Sequence, residues 1–432
     1  MRVAADTPSI DPVARRSVWI AALGTVVEWY DFSLYLYLTP VLGRVFFHSQ
    51  NASIRTYGVF AAAYLMRPVG AMFFGHFGDR IGRRFTLVIS AGVMAAAMAI
   101  TALLPSYAQI GPYAGVLLSV LRGLMGFSVG GEYTGVLVYL LEVTGPRRRG
   151  YVASWAPATS QIGALLAVGL ATLFTAELPT DALDAWGWRV LYGLGALLAT
   201  GTLIARRSLR ETPSFDRLRA QGRISRAPLR DVLQHQRRGV LAAFAMSALG
   251  SVSYYVAIAY VPTFLSEVVG RSPVSSLALS TIAAAIVFAV TPVIGWLADV
   301  TGRKPVMVVS ALAIALPALP LFALLSAGTF GPTLAAMVAL AVPAAAASAV
   351  FASAIPEQLA TAGRFSGLAL GYNAATALFG GLSPLIASVL VSATGWRLAP
   401  AVFLLGTGLL VLPLLIRLPE TAHQPLSDAP PG

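Results

Sequence analysis

Five charged residues lie deep within apolar stretches of the first half of the chain, and they are the residues best placed to do chemistry. Glu28 and Asp31 fall in the segment VEWYDF, Arg67 and Arg122 lie in two later stretches, and Glu132 follows Arg122. A charge at the centre of a membrane-spanning helix costs about 2.5–3.5 kcal/mol on insertion scales. A side chain kept at that cost is a candidate for binding a solute or carrying a proton.

Glu28 and Asp31 are spaced i, i+3 and therefore share one helix face. Two carboxylates held close in a partly dry site cannot both ionise easily, so we expect one of them to hold a proton. Proton uptake by Glu28, Asp31 or Glu132 would free Arg67 or Arg122 to bind a solute carboxylate through paired hydrogen bonds. Two arginines facing three acids leave one excess negative charge. The alternative is a static cluster that holds the helices together and carries no proton.

The elements that must position these charges are membrane helices. Of the 432 residues, 57% are hydrophobic and 11% are charged, whereas soluble domains carry about 25% charged residues. Helices and closed barrels satisfy the backbone in lipid, and long apolar runs without alternation favour helices. We predict an all-α integral membrane protein with twelve helices. The apolar stretches lie at 18–47, 57–77, 85–104, 113–141, 150–175, 188–205, 239–265, 277–298, 305–327, 331–353, 366–393 and 398–416.

The twelve stretches form two groups of six. We predict an N-terminal six-helix bundle over residues 1–205, a cytoplasmic linker rich in arginine over 206–238, and a C-terminal six-helix bundle with a short tail over 239–432. The most basic loops follow the even-numbered stretches, so they share one side of the membrane, which the positive-inside rule makes cytoplasmic together with both termini. The net charge of +12 is therefore a topology signal, and we expect no nucleic-acid partner.

One loop pattern is repeated between the halves, as is typical of secondary transporters. Residues 75–84 read GHFGDRIGRR and residues 295–304 read GWLADVTGRK, so Gly75, Asp79, Gly82 and Arg83 recur as Gly295, Asp299, Gly302 and Arg303. Leu209, Glu211 and Thr212 likewise recur as Leu418, Glu420 and Thr421. The glycines permit close approach and tight turns, and the aspartates can take up and release arginine. We predict a gate; the alternative is a simple basic loop.

Polar and aromatic side chains elsewhere could complete a solute site. Besides Arg67 and Arg122, the candidates are Gln161, Tyr254, Tyr255, Tyr372 and Asn373. Each of the latter has an alternative interpretation as a contact between helices. The chain has no cysteine, and its histidines, which are His48, His76, His235 and His423, show no H-E-x-x-H spacing. We therefore predict no metal site, no cofactor and no enzymatic activity.

The repeated loop resembles the signature of the major facilitator superfamily of secondary transporters. Within it, five segments resemble the metabolite:proton symporter family: GTVVEWYDFSLY (24–35), MRPVGAMFFGHFGDRIGRR (66–84), GFSVGGEYTG (126–135), WGWR (186–189) and RRSLRETPSF (206–215). The resemblance implies two pseudo-symmetric bundles, alternating access, a small solute and protons as partners, and the bacterial inner membrane as location. The sequence departs from the family at Thr25 and Met125, where an amide is usual.

Carriers of that family transport citrate, 2-oxoglutarate, shikimate and other carboxylates, or the zwitterions proline and betaine. Osmosensing betaine and proline carriers often have a long C-terminal heptad segment, whereas this chain ends soon after Leu418, which favours proton symport of an organic acid such as citrate. The alternatives are symport of a zwitterion, since GFSVGGEYTG is close to the betaine type, and a proton-antiport exporter. The duplicated gate disfavours a channel. We expect a monomer, because each pair of bundles contains its own pathway.

Overall fold

The structure of the protein is a computed structural model that describes residues 12–47 and 52–426, so the ends of the two predicted bundles at residues 1 and 432, and His48, lie outside it. Every regular element in the described ranges is helical. The long helices are α1 (Pro12–Tyr37), α2 (Ala52–Arg80), α3 (Arg83–Leu103), α4 (Tyr113–Glu142), α5 (Trp155–Glu177), α6 (Trp188–Arg207), α7 (Arg237–Tyr254), α8 (Pro273–Thr301), α9 (Arg303–Ala315), α10 (Phe330–Glu357), α11 (Arg364–Ala375) and α12 (Ala399–Arg417).

Three of these helices are extended after a local irregularity. π-Helical turns at Tyr255–Tyr260 and Phe264–Val268 extend α7, and α9 continues as Ala318–Ser326 after a bend of 44°. A π-helical turn at Thr376–Gly380 and the helix Ser383–Thr394 extend α11. Single π-helical turns of this kind are frequent at functional sites.

The described helices are apolar enough for a bilayer. Ten of them are long and hydrophobic enough to cross a membrane, or eleven if the two parts of α9 form one span. The 26 residues of α1, which carry Glu28 and Asp31, complete the predicted series. Large apolar side chains project outward, such as Leu103, Leu197 and Leu410, which are 79%, 70% and 81% exposed. A surface of this kind suits contact with lipid.

The two groups of six helices use the same internal pairings. In the first group α1 packs on α5, α2 on α4, and α3 on α6, while in the second α7 packs on α11, α8 on α10, and α9 on α12. The groups meet where α2 packs on α11 and α5 packs on α8. Each contact recurs six helices later, as duplication of a six-helix unit requires.

Close backbone contact between α2 and α4 positions the charged residues. A Cβ atom added at Gly130 would lie 2.1 Å from the carbonyl oxygen of Arg67, and one added at Gly126 would lie 2.0 Å from that of Ala63. Small residues allow such approach between membrane helices. The glycines of the GFSVGGEYTG segment therefore fix the height of Arg67 against α4.

The predicted linker contains two short helices, Pro213–Ala220 and Pro228–His235, the second of which packs on α2 and α11. Thr212 caps the first by accepting a hydrogen bond from the backbone N–H of Phe215. Arg206, the first residue of the predicted linker, is instead the penultimate residue of α6 and is fully buried.

We expect Gly130→Ala to lower the thermal stability of the purified protein by several degrees, because its methyl group would collide with the backbone of α2. The measurement is loss of monodispersity after heating in detergent. Gly123→Ala on the same helix is the matched control, since its Cβ would lie an ordinary 3.8 Å from Met66 Cγ. Equal melting of the two variants would contradict this packing.

Candidate functional site

Asp31 and Arg122 form a closed ion pair between α1 and α4. Nη1 of Arg122 lies 2.8 Å from both carboxylate oxygens of Asp31, and both side chains are about 95% buried, at 5% and 4% exposure. The guanidinium also lies over the rings of Tyr35 and Tyr192, 5.5 and 5.4 Å from their centroids. Charge-assisted hydrogen bonds and cation–π contacts together hold this arginine in place.

Glu28 and Arg67 form a much looser pair between α1 and α2. Their closest nitrogen–oxygen distance is 3.6 Å, which is too long for a hydrogen bond, although both side chains are buried. Oε2 of Glu28 has no hydrogen-bond partner in the described part of the chain. A buried carboxylate without full pairing is costly, so Glu28 is the acid best placed to take up a proton.

Glu132 does not belong to the same cluster, which corrects the predicted balance of charge. Arg206 of α6 donates to its two carboxylate oxygens at 2.7 and 2.5 Å, and Ser90 donates to Oε2 at 2.6 Å. Among the described intramembrane residues three arginines therefore meet three acids, and the predicted excess negative charge is wrong. The sequence prediction missed Arg206 because it stands next to Arg207 at a helix end and resembles a linker residue.

A central cavity of about 830 Å³ lies between the two groups of helices. Arg67, Trp29 and Tyr133 line it from the first group, together with Gln161 of α5. Tyr254, Tyr255, Tyr372 and Phe351 line it from the second group. The structure thus brings five of the predicted solute residues to one cavity: Arg67, Gln161, Tyr254, Tyr255 and Tyr372.

The other two predicted solute residues lie elsewhere. Arg122 lines a smaller neighbouring cavity of about 490 Å³ together with Glu28, Asp31 and Arg67. Asn373 donates from Nδ2 to the carbonyl oxygens of Gly130 and Ala369, both at 3.0 Å, and does not line the central cavity. The alternative interpretation of Asn373 as a helix contact therefore describes its position better.

Sequence reasoning also missed several residues of the cavity wall. Trp29 lines both cavities, and Tyr133 stacks on Tyr372 with centroids 5.0 Å apart. The ring of Trp29 packs edge-on against Tyr254 at 5.3 Å. The only signal for Trp29 was its place between Glu28 and Asp31.

A wide vestibule adjoins the central cavity. Its space, open solvent included, is about 1820 Å³, and Tyr37 at the end of α1, Pro262 and Pro384 line it. Trp29, Gln161, Tyr254 and Tyr255 line both the vestibule and the central cavity. At their boundary the hydroxyl groups of Tyr64 and Tyr255 form a hydrogen bond between the two halves.

The opposite side, here called the basic face, carries Arg80, Arg84 and Arg207, and there the repeated loops join the halves. Asp79 accepts backbone hydrogen bonds from Phe365 and Ser366 at the start of α11, at 3.3 and 2.8 Å. Asp299 accepts them from Gly150 and Tyr151, at the start of the short helix Arg149–Ala153, at 2.8 and 2.7 Å. A carboxylate at a helix N-terminus is stabilised by the unpaired N–H groups and the helix dipole.

An arginine of the same half pairs with each of these aspartates, and Arg83 also donates to the carbonyl oxygen of Thr361 in the other half. Arg83 lies 3.2 Å from Asp79 and 3.1 Å from Glu142, and Arg303 lies 2.8 Å from Asp299 and 3.2 Å from Glu357. Gly82 and Gly302 have φ of 138° and 102°, which favours glycine. Cβ atoms added at Gly75 or Gly295 would lie 3.0 Å from Ser366 Cα or 2.3 Å from Ser154 Oγ in the other half.

The second repeated motif, which contains Glu211 and Glu420, stabilises the repeated loops through hydrogen bonds. Glu211 accepts the backbone N–H groups of Arg83 and Arg84, and Glu420 accepts those of Arg303 and Lys304. Burial raises the pKa of Glu211. Burial also acts to raise the pKa of Glu420, but the backbone N–H groups outweigh it and lower that pKa below the ordinary value. The two halves are thus joined at the basic face, while the vestibule lies on the other side of the cavity.

Comparison with known proteins agrees with this architecture. A family model described as Major Facilitator Superfamily matches residues 21–381 and 279–431. The glycine betaine/proline/ectoine/pipecolic acid transporter OusA of Dickeya dadantii is 33% identical over 97% of this chain and 86% of its own length. The proline/betaine transporter of Salmonella typhimurium is 32% identical over 98% and 87%. The citrate-proton symporter of Klebsiella pneumoniae is 33% identical over 87% and 85%.

Solved structures share the fold. The proton:xylose symporter XylE bound to 6-bromo-6-deoxy-D-glucose superimposes with a TM-score of 0.83 at 18% identity, covering 97% of this chain and 99% of the other. The predicted all-α membrane fold of twelve helices in two pseudo-symmetric bundles is therefore confirmed. Since the sequence relatives are transporters, the prediction that the protein is not an enzyme is confirmed as well.

We expect Asp79→Asn to weaken closure of the basic face, because an amide is a poorer acceptor for two N–H groups and loses the charge that attracts Arg83. Because the chain has no cysteine, a single Ala369→Cys, buried at this interface, reports opening through its maleimide alkylation rate. That rate should rise severalfold. Asp216→Asn, on an exposed linker helix, is the control. An unchanged rate in Asp79→Asn would count against the gate.

Proposed function

Because this chain belongs to the major facilitator superfamily, we propose that it is a proton-coupled symporter of a small zwitterion such as proline or betaine. The observation that carries the proposal is the loosely paired Glu28 and Arg67 beside the central cavity. Arg67 lines both the small cavity that contains Glu28 and the central cavity. A change of charge on Glu28 therefore acts directly on the cation that a solute would meet.

The coupling step follows from this position. While Glu28 is ionised, it attracts Arg67 and competes with any solute carboxylate for that cation. Protonation of Glu28 removes the competitor, so Arg67 can bind the carboxylate in a charge-assisted contact. Binding of proton and solute is then mutually favourable, as thermodynamic linkage requires. Asp31 and Glu132, two other predicted proton carriers, are better suited to structural roles because both oxygens of each are already paired.

The charge and shape of the cavity wall favour a zwitterion. Among the described residues that line the central cavity, Arg67 is the sole cation. It can pair with one carboxylate, while an ammonium group can lie over the faces of Trp29, Tyr254 or Tyr133. Citrate would bring further carboxylates without cationic partners, which is costly in a buried site.

An organic acid is the second candidate. The citrate-proton symporter of Klebsiella pneumoniae is as similar in identity as the betaine and proline relatives. A monocarboxylate would satisfy Arg67 equally well. The aromatic rings opposite would then contact apolar carbon rather than a cation.

Direction and location complete the proposal. We place the basic face and both termini in the cytoplasm of a bacterial cell, with the protein as a monomer in the inner membrane. With this orientation the vestibule faces the outside of the cell. A proton carried inward with a neutral zwitterion moves one positive charge, which gains about 2.3 kcal/mol per 100 mV of membrane potential. Import is therefore favoured by both components of the proton gradient.

The substrate class is tested with the purified protein in proteoliposomes under an imposed pH gradient, acid outside. We expect labelled proline to accumulate and unlabelled betaine to compete. Citrate, succinate, 2-oxoglutarate and shikimate should compete weakly. Accumulation of labelled citrate without any uptake of proline or betaine would establish the organic-acid alternative.

Substitution Glu28→Gln tests the coupling. A glutamine mimics the protonated acid, so Arg67 stays available and solute exchange across the membrane should persist. Accumulation driven by the pH gradient should fall at least tenfold, because no proton is carried. The measurements are gradient-driven uptake and counterflow in the same vesicles. Glu177→Gln, at the exposed end of α5, is the control; normal gradient-driven accumulation in Glu28→Gln would contradict this role.

A further inference from the structure

Ser247 lies on α7 in the wall of the central cavity. Its side chain belongs to the second half of the protein, opposite the half that contributes Arg67. The residue is 3% exposed, and its hydroxyl oxygen has no hydrogen-bond partner in the described part of the protein. A buried polar atom of this kind normally finds a partner, so an unpartnered one in a cavity wall points to a ligand.

Three other buried hydroxyl groups of this half are already paired, and Thr333 and Ser366, whose hydroxyl groups also lack a partner among the described residues, do not line the cavity. Ser253 donates to the carbonyl oxygen of Leu249 at 2.6 Å, and Thr291 donates to that of Val287 at 2.6 Å. One turn above Ser247, Ser251 donates to Thr376 at 3.5 Å. Ser247 forms no such bond, so both its proton and its lone pairs remain available to a molecule in the cavity.

Ser247 lies about one helical turn nearer the basic face than Arg67. Ser247 lies ten residues from the start of α7, or about 15 Å at 1.5 Å per residue. Arg67 lies thirteen residues from the end of α2 at the same face, or about 20 Å. Both residues line the central cavity, from opposite halves of the protein, so a small solute with its carboxylate on Arg67 can reach the wall that contains Ser247 with its other end.

We propose that Ser247 determines specificity by accepting a hydrogen bond from an N–H of the solute ammonium group, an inference that rests on the proposed zwitterion transport. Primary and secondary ammonium groups have such protons, whereas a quaternary ammonium has none. The aromatic rings attract both kinds of cation. Ser247 adds the discrimination, because a solute without an N–H leaves its hydroxyl unpaired.

The test compares proline with N,N-dimethylproline, which share a ring and a carboxylate and differ at the nitrogen. Uptake is measured in proteoliposomes for the unmodified protein and for Ser247→Ala. The variant should raise the half-saturation concentration for proline about tenfold, the effect of one lost charge-assisted hydrogen bond. The value for N,N-dimethylproline should change less than about twofold, which also shows that the variant is folded.

Two further variants sharpen the comparison. Ser253→Ala removes a hydroxyl from the same helix, but one that is bonded to its own backbone and does not line the cavity; both solutes should behave as with the unmodified protein. Ser247→Thr keeps the hydroxyl and should retain the preference for proline. Equal effects of Ser247→Ala on both solutes, or none on either, would overturn the role of Ser247 while leaving zwitterion transport intact. If the unmodified protein transports neither of these solutes and no betaine, the proposed function itself fails.

Discussion

The cost of burying charge in a bilayer governs this structure. Three ion pairs cross the helices of the first half, and two of them are closed by hydrogen bonds on both carboxylate oxygens. The third, Glu28 with Arg67, is held at 3.6 Å and leaves one oxygen unpaired. The closed pairs stabilise the positions of α1, α4 and α6. Against that fixed frame, the open pair is the one whose state can change with a proton or a solute.

The same helices link the cavity to the predicted gate. Arg67 and Asp79 lie on α2, and α11 carries Tyr372 in the cavity wall and the N–H groups that Asp79 accepts. A movement of α2 against α11 therefore changes the cavity wall and the hydrogen bonds of Asp79 at the same time. The two predicted gates differ in the partners of their second arginine: Arg364 donates to Glu142 across the halves, while Arg149 donates to the carbonyl of Gln424 in the C-terminal segment. Closure of the basic face thus involves the chain after α12 as well as the repeated loops.

Much of the fold could be predicted because its signals are local. Apolar length defines the helices, and the repeated G-x-x-x-D-x-x-G-R pattern defines the turns at which Asp79 and Asp299 lie. Pairing across helices is not local in sequence. Arg206 is 74 residues from Glu132, and no feature of its surroundings shows that it turns inward. Asn373 could not be assigned for the same reason, since an amide in an apolar helix suits a cavity wall and a backbone contact equally well.

The two halves share a fold but differ in the kinds of side chain that they place at the cavity. Deep ionisable residues are confined to the first half, whereas the cavity wall of the second half consists of tyrosine, hydroxyl and apolar side chains among the described residues. A second set of charges would need its own partners in the bilayer and would compete with Glu28 for Arg67. Neutral groups avoid both costs and can still select among solutes by shape and hydrogen bonding. The proposed division, with proton coupling in one half and solute recognition in the other, suits a duplicated fold, because each half can change without disturbing the charge balance of its neighbour.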